Sequence, residues 1–241
     1  SSKIPSEKEL LCYYANYPRI VSLPALTVSR YDHLLDRFEP SRKNNRILDL
    51  GCGNGLFLER ALLRGWEAWG TELSEEAANA CRLKGIKIAN PSSLSAFEKG
   101  YFDVITSFEV IEHLSYPAPE VETAGRLLRD KGLFYLTTPN FNSLTRRMIG
   151  ASWNVIGHPE HLSYFTRKTI HRLLRSHRFE KVSAHTTGIN PSRVMQSLEP
   201  KRHSTTPGNT GDERFREQLE QKVHLRALKA SLNFFLNVTG T

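Results

Sequence analysis

Nine consecutive residues constrain this chain more than any others: Ile47-Leu48-Asp49-Leu50-Gly51-Cys52-Gly53-Asn54-Gly55. An apolar run carries an acid, enters a glycine turn and passes at once into the helical pattern of residues 56–63. Glycine has no Cβ, so the backbone of such a turn can approach a ligand closely. The following helix adds unpaired N–H groups at its start. The segment therefore predicts a strand–turn–helix unit with a small ligand against the turn.

The same alternation continues. Residues 46–50, 67–72, 86–89, 102–107, 132–138 and 180–185 read as strands, and residues 56–64, 75–84, 119–129 and 167–176 as helices. Ser74 and Thr166 stand where N-caps belong, and acids follow Ser74 in the first turn. Strand and helix in strict alternation predict an α/β fold: a doubly wound, mostly parallel sheet with right-handed crossovers. Residues 139–164 read as irregular. Ahead of the alternation, residues 6–14 and 26–38 are helical, broken at Tyr17-Pro18-Arg19. Behind it, residues 197–212 form a loop rich in Ser, Thr, Pro and Gly, and residues 212–237 carry an apolar helical stripe of Phe215, Leu219, Val223, Leu228, Leu232 and Phe235. Three parts result: a helical lid over 1–40, a ligand-binding core over 41–196, and a loop with a C-terminal amphipathic helix over 197–241.

Charge and cysteine content narrow the partners. The net charge is +8, and much of it falls at Lys168, Arg172, Arg175, Arg178, Lys181, Arg193 and Lys201. A solvated helix face is the simplest reading of so dispersed a set. Nucleic acid, phosphorylated substrates or an anionic membrane are the partners such a face can bind. No apolar run approaches the roughly 18 residues of a membrane span, and no signal peptide is recognisable. A start at Ser1 in place of Met gives the expectation of a trimmed chain. Cys12, Cys52 and Cys81 are far apart in sequence and match neither a disulfide framework nor a zinc pattern, which favours a reducing cytoplasm. Cys52 reads as a small turn residue.

Two carboxylates say which ligand the glycine turn holds. A dinucleotide turn needs Gly-x-Gly-x-x-Gly, and here Leu56 takes the place of the last glycine. Asp49, just ahead of the turn, would repel a pyrophosphate and suits an ammonium or sulfonium. Glu72 follows the second strand, about 20 residues beyond the first glycine, where a carboxylate accepts ribose hydroxyls. A ribose at Glu72 and a cationic amino-acid tail at Asp49 and Gly51 describe S-adenosylmethionine.

Residues 47–55, Gly70-Thr71-Glu72-Leu73-Ser74, residues 102–114 and residues 127–140 resemble the successive motifs of class I S-adenosylmethionine-dependent methyltransferases. The resemblance covers residues 46–182. It implies donor contacts at Asp49, Gly51, Gly53, Asn54, Glu72, Leu73, Ser93 and Phe108, with Ser93 near the adenine. The family sheet has seven strands in the order 3-2-1-4-5-7-6. This chain ends at Val238-Thr239-Gly240-Thr241, where a last strand should begin, so the expectation is either a truncated chain or a sheet completed in another way.

Phe108-Glu109-Val110-Ile111-Glu112-His113-Leu114 follows the fourth strand. If helical, it sets Glu109, Glu112 and His113 at i, i+3 and i+4 on one face, as a metal site or an acid/base site. A second cluster follows, Gly157-His158-Pro159-Glu160-His161-Leu162-Ser163-Tyr164-Phe165. The two together resemble the ubiquinone-biosynthesis O-methyltransferases and the enzymes that methylate the terminal 2′-hydroxyl of small RNAs. That resemblance implies a divalent cation such as Mg on Glu109, Glu112, His113 and His161, with His158 the alternative to His161. His113, His158 and Glu109 are the candidate catalytic residues. Metal-free relatives also carry Glu-His here, where it organises the active-site loop. The pattern with Tyr13-Tyr14 and Tyr17-Pro18 also resembles bacterial polysaccharide-pathway methyltransferases, with Tyr14 and Tyr17 either near the acceptor or simply packed. The expectation is an enzyme transferring a methyl group to a hydroxyl of a small acceptor, a sugar or other diol. An RNA 2′-O-methyltransferase, a membrane-associated quinone enzyme and a non-catalytic S-adenosylmethionine-binding module are the alternatives.

Overall fold

The computed structural model describes residues 25–150, Trp153, Ile156 and residues 161–185. Five strands, β1 (Arg46–Leu50), β2 (Glu67–Thr71), β3 (Lys87–Ala89), β4 (Phe102–Phe108) and β5 (Leu128–Thr137), form one sheet in the order β3-β2-β1-β4-β5. Every pairing is parallel. Helices α1 (Ala25–Phe38), α2 (Leu56–Leu63), α3 (Glu75–Leu83), α4 (Pro117–Leu127), α5 (Leu144–Ile149) and α6 (Arg167–Ser176) accompany it. The chain reverses direction across the sheet between β1 and β4, and the carboxyl ends of those two strands open the crevice where ligands bind in such folds.

The central strands are buried on both faces, which is why they read as near-continuous apolar runs. Ile47 and Val104 pack with Leu34, Leu35, Phe38, Phe57 and Leu58 in one layer. Leu48, Leu50 and Ile105 pack with Ala124, Leu127 and Leu128 in the other. Helix α1 thus belongs to the core layer itself, and an Asp32–Arg60 ion pair of 2.8 Å ties it to α2. The remainder of the expected lid, with Tyr14 and Tyr17, and the expected C-terminal helix lie outside the described residues.

Local signals placed the helices well. The Ser74 hydroxyl accepts from Ala77 N–H and starts α3. A reciprocal Thr166–Thr169 box starts α6 on the expected residues. Three expectations differ. Helix α4 runs over Pro117–Leu127 instead of 119–129, because Leu128 already pairs with Phe102 and the Arg129 guanidinium bonds the buried Asp103 carboxylate at 2.7 Å. Within the stretch read as irregular, Ser143 caps the short α5. Residues 180–185 form no strand. Phe179, just before them, stacks at 5.4 Å on Phe134, so the chain is anchored by a ring on the face of the sheet rather than by edge hydrogen bonds.

Candidate active site

The glycine turn joins β1 to α2. Gly51, Gly53 and Gly55 all have positive φ, between 52° and 69°. Gly51 has a second requirement: a Cβ there would lie 2.8 Å from Val110 Cγ2 in the loop after β4. The turn is held from β2. Thr71 Oγ1 accepts from Gly51 N–H at 3.1 Å, and the Thr71 carbonyl accepts from Cys52 N–H at 2.9 Å. Glu72 Oε2 accepts from Gly53 N–H at 2.8 Å, while its Oε1 accepts from Leu73 and Ser74 N–H, each at 2.8 Å. Glu72 therefore orders the turn as well as standing where the ribose was expected.

Asp49 is buried beneath the turn, and Thr106 Oγ1 donates to its Oδ1 at 2.7 Å. Burial, opposed by that hydrogen bond and reinforced by the charge of Glu72, pushes its carboxyl up to about 7. A site with two neighbouring carboxylates, one of them desolvated, favours a cationic ligand.

The other residues expected to contact the donor have these surroundings. Asn54 gives its carbonyl to Lys84 Nζ at 3.0 Å. Leu73 is exposed beside Glu72. Ser93 lies in a short 3-10 segment, Pro91–Ala96, with its hydroxyl on the Asn90 carbonyl at 2.8 Å. Asn90, which follows β3 and was not among the expected residues, caps that segment, its Oδ1 accepting from Ser92 N–H at 2.9 Å. Phe108 is half-buried, its ring packed against Phe57 at 5.0 Å and Tyr135 at 5.7 Å.

After β4 the expected helical face does not form. Glu109 has φ of 53°, and its N–H is taken by the Thr137 carbonyl at 3.0 Å. This left-handed residue turns the chain sharply out of the strand, and only Ile111–His113 form a 3-10 turn. Glu109 is exposed and is not one of the convergent residues. Glu112, His113 and His161 are: one ligand atom from each lies within 4.8 Å of the others. The His113 and His161 rings are 4.8 Å apart, edge to face. Backbone bonds fix this meeting, because Leu162 and Ser163 N–H both donate to the Glu112 carbonyl, at 2.8 and 2.9 Å. Ser163 Oγ adds a bond to the Leu114 carbonyl at 3.0 Å. His158 lies outside the described residues.

Fold and site together define a Rossmann-like domain whose switch-point crevice carries an acid-flanked glycine turn and an adjoining carboxylate–imidazole cluster. The methyltransferase domain model matches residues 26–184, and the chain belongs to that family. A ubiquinone biosynthesis O-methyltransferase from Nitrosococcus oceani is 34% identical over 112 residues, 43% of this chain and 48% of that protein. One from Azoarcus sp. is 28% identical over 167 residues, 64% of this chain and 72% of that protein. The chain spans about half the length of the first of these curated relatives, from 48% to 52%. A SAM dependent methyltransferase from Archaeoglobus fulgidus shares the fold with a TM-score of 0.56 at 20% identity, over 81% of this chain and 86% of that one. Phosphoethanolamine N-methyltransferase 2 of Haemonchus contortus does so at 0.55 and 18%, over 88% and 47%. Among the described residues no helix is long and apolar enough to cross a membrane.

Proposed function

We propose that this protein transfers the methyl group of S-adenosylmethionine to a hydroxyl oxygen of a small acceptor bearing neighbouring hydroxyls, a sugar or other diol. One observation carries the reading: Glu112, His113 and His161 converge directly after the loop whose Val110 closes against Gly51. Acid/base groups thus adjoin the donor turn. Asp49 neutralises the positive end of the donor, Glu72 accepts from its ribose, and Leu73, Asn90 and Ser93 border the adenine. Gly51, Gly53 and Asn54 present backbone to the methionine portion, and Phe108 backs it from the core side. An imidazole, His113 or His161, accepts the acceptor's hydroxyl proton, and the freed oxygen attacks the sulfonium methyl in line. Holding donor and acceptor in that geometry accounts for most of the rate, up to about 7–11 kcal/mol. Glu109, exposed on the same loop, is assigned to the acceptor.

Glu112, His113 and His161 are also the residues that would hold a divalent cation. One carboxylate and two imidazoles fit Mn or Zn better than Mg, which prefers oxygen ligands. A cation bound there would make a coordinated hydroxyl more acidic. A second reading, an RNA 2′-O-methyltransferase, draws on Arg167, Lys168, Arg172 and Arg175, all exposed on α6.

Calorimetry with S-adenosylmethionine, followed by transfer of a labelled methyl group to a catechol, a sugar diol and a short RNA, tests the proposal. Donor binding lost in Glu72→Ala, with label entering a diol, is the expected result. Label entering RNA alone would transfer support to the second reading, and no donor binding by the wild type would sink both.

A further inference from the structure

The turn that carries the donor site also carries a cysteine, and the fold brings a second one beneath it. Cys52 lies in the glycine turn and Cys81 near the end of α3, and their Sγ atoms are 4.0 Å apart. Isolated in sequence, they form a facing pair in the structure, which revises the reading of Cys52 as only a small turn residue. The space they occupy depends on two glycines. A Cβ at Gly70 would lie 2.5 Å from Cys52 Sγ, and one at Gly55 would lie 2.7 Å from Cys81 Sγ. The Cys81 thiol donates to the Gly53 carbonyl at 3.2 Å, while Glu72 holds the Gly53 N–H from the other side. The peptide units flanking Gly53 are thus held on one side by a sulfur and on the other by the carboxylate expected to meet the ribose.

We propose that Cys52 and Cys81 are a redox-active dithiol, oxidised by hydroperoxides to an intrachain disulfide that weakens binding of S-adenosylmethionine. The cross-link stands on the geometry alone; its effect on the donor rests on the donor-site reading above. Cys52 is half-buried and Cys81 fully buried, so Cys52 is the sulfur a small oxidant reaches, and its oxidation is slow because the hydrogen bond with Cys81, burial and the Asp49 and Glu72 carboxylates push its thiol up. A hydroperoxide transfers one oxygen to Cys52, giving a sulfenic acid and releasing an alcohol or, from hydrogen peroxide, water. Cys81 then attacks the Cys52 sulfur, the S–O bond breaks, and the oxygen leaves with a proton as water. The two thiols lose two hydrogens and two electrons in all, and the peroxide O–O bond is reduced. Cys81 suits the second step. The hydrogen bond from Cys52 pulls its thiol down, burial opposes this, and the nearby Lys84 ammonium adds to the lowering. Closure from 4.0 Å to a bond of about 2.05 Å must move at least one sulfur, and the Cys81–Gly53 contact is lost with it.

The test uses the full 241-residue chain carrying Cys12→Ser, which removes the third thiol. The reduced protein is treated with dilute hydrogen peroxide, digested without reductant and mapped by mass spectrometry. A peptide joining Cys52 to Cys81, absent after dithiothreitol, is expected. Calorimetry should show donor affinity lower by roughly tenfold or more in the cross-linked protein, recovered on reduction. Cys52→Ala, which lacks the sulfur that the oxidant reaches, should show the same donor affinity before and after peroxide treatment; should that variant fail to fold, the peptide map and the reversal by dithiothreitol carry the test. Thiols that stay reduced, or that pass to sulfinic acid without the joined peptide, would overturn the dithiol. Unchanged donor affinity in the cross-linked protein would overturn the coupling. Failure of the reduced protein to bind donor would sink the donor-site reading and the coupling with it, leaving the cross-link to be judged by the map.

Discussion

Asp49 links stability and pH in one side chain, and under the proposed donor site it links donor binding to them as well. Its carboxyl is pushed from an ordinary 3.8 to about 7, chiefly by burial. Between these values the folded state holds a proton that the unfolded state has released. Stability is therefore fully present below about pH 4, falls as pH rises, and is lost through pH 7. At roughly 1.4 kcal/mol per pH unit, ionising this buried group costs the folded state about 4 kcal/mol at pH 8. Asp49→Asn keeps an oxygen to accept from Thr106 and removes the charge, so it should stabilise the donor-free protein at pH 8 by up to about 4 kcal/mol. At roughly 2–4 °C per kcal/mol for a chain of this size, the melting temperature should rise by up to about 8–16 °C. At pH 5 about 1.6 kcal/mol of this cost has already accrued, so the variant should still melt a few degrees higher, and the two proteins should melt together only below about pH 4. Donor binding should run the other way. A cationic ligand prefers the ionised carboxylate, so wild-type affinity should climb about tenfold per pH unit up to 7 and then level off, while Asp49→Asn binds weakly and without this dependence. Thermal melts by circular dichroism and calorimetric titrations from pH 5 to 9 measure both. Parallel melting profiles for the two proteins, or a flat wild-type donor affinity across pH 7, would refute the reasoning.

Other substitutions probe the remaining parts of the site. Glu72→Ala leaves three backbone N–H groups without their acceptor. It should cost about 1–3 kcal/mol in urea unfolding and abolish donor binding in calorimetry. Gly51→Ala meets Val110 at 2.8 Å and a φ of +67°. It should destabilise by roughly 1–3 kcal/mol, and adding Val110→Ala should restore only the steric share, because the backbone strain stays. His113→Ala and His161→Ala should each lower Mn or Zn retained after dialysis, measured by elemental analysis, whereas Glu109→Gln should leave it unchanged and affect only methyl transfer. Glu120, pushed up to about 7 by burial against the Ser107 hydrogen bond, follows the same sign as Asp49. Glu120→Gln should raise the melting temperature, and by more at pH 8 than at pH 5.

What was legible in the sequence was local. An apolar run into three glycines, a strand-ending Glu72, and the Ser74 and Thr166 caps each depend on neighbours a few residues away, and all appear where the pattern put them. The alternation led to a parallel, doubly wound sheet, and the observed order β3-β2-β1-β4-β5 is the one that the family resemblance implied for these strands. The errors lie where distant contacts outweighed local preference. Residues 180–185 have strand-like composition but form no strand, and Phe179 stacks on the ring of Phe134 instead. Glu109 to His113 has helical spacing, but the Thr137 carbonyl takes the Glu109 N–H and bends the backbone to positive φ. That bend removes Glu109 from the convergent set and leaves Glu112 and His113 to meet His161.

The sequence by itself determined the class of fold and the glycine turn with its two flanking acids, since both rest on short-range patterns that any sheet of this order would satisfy. Tertiary structure alone decided which residues share a site. It paired His113 with His161 through two bonds to one carbonyl, set Glu72 on the Gly53 amide, and brought Cys52 and Cys81 to 4.0 Å. Side-chain convergence depends on where separate segments cross, and that position is fixed by packing and backbone bonding between elements remote along the chain.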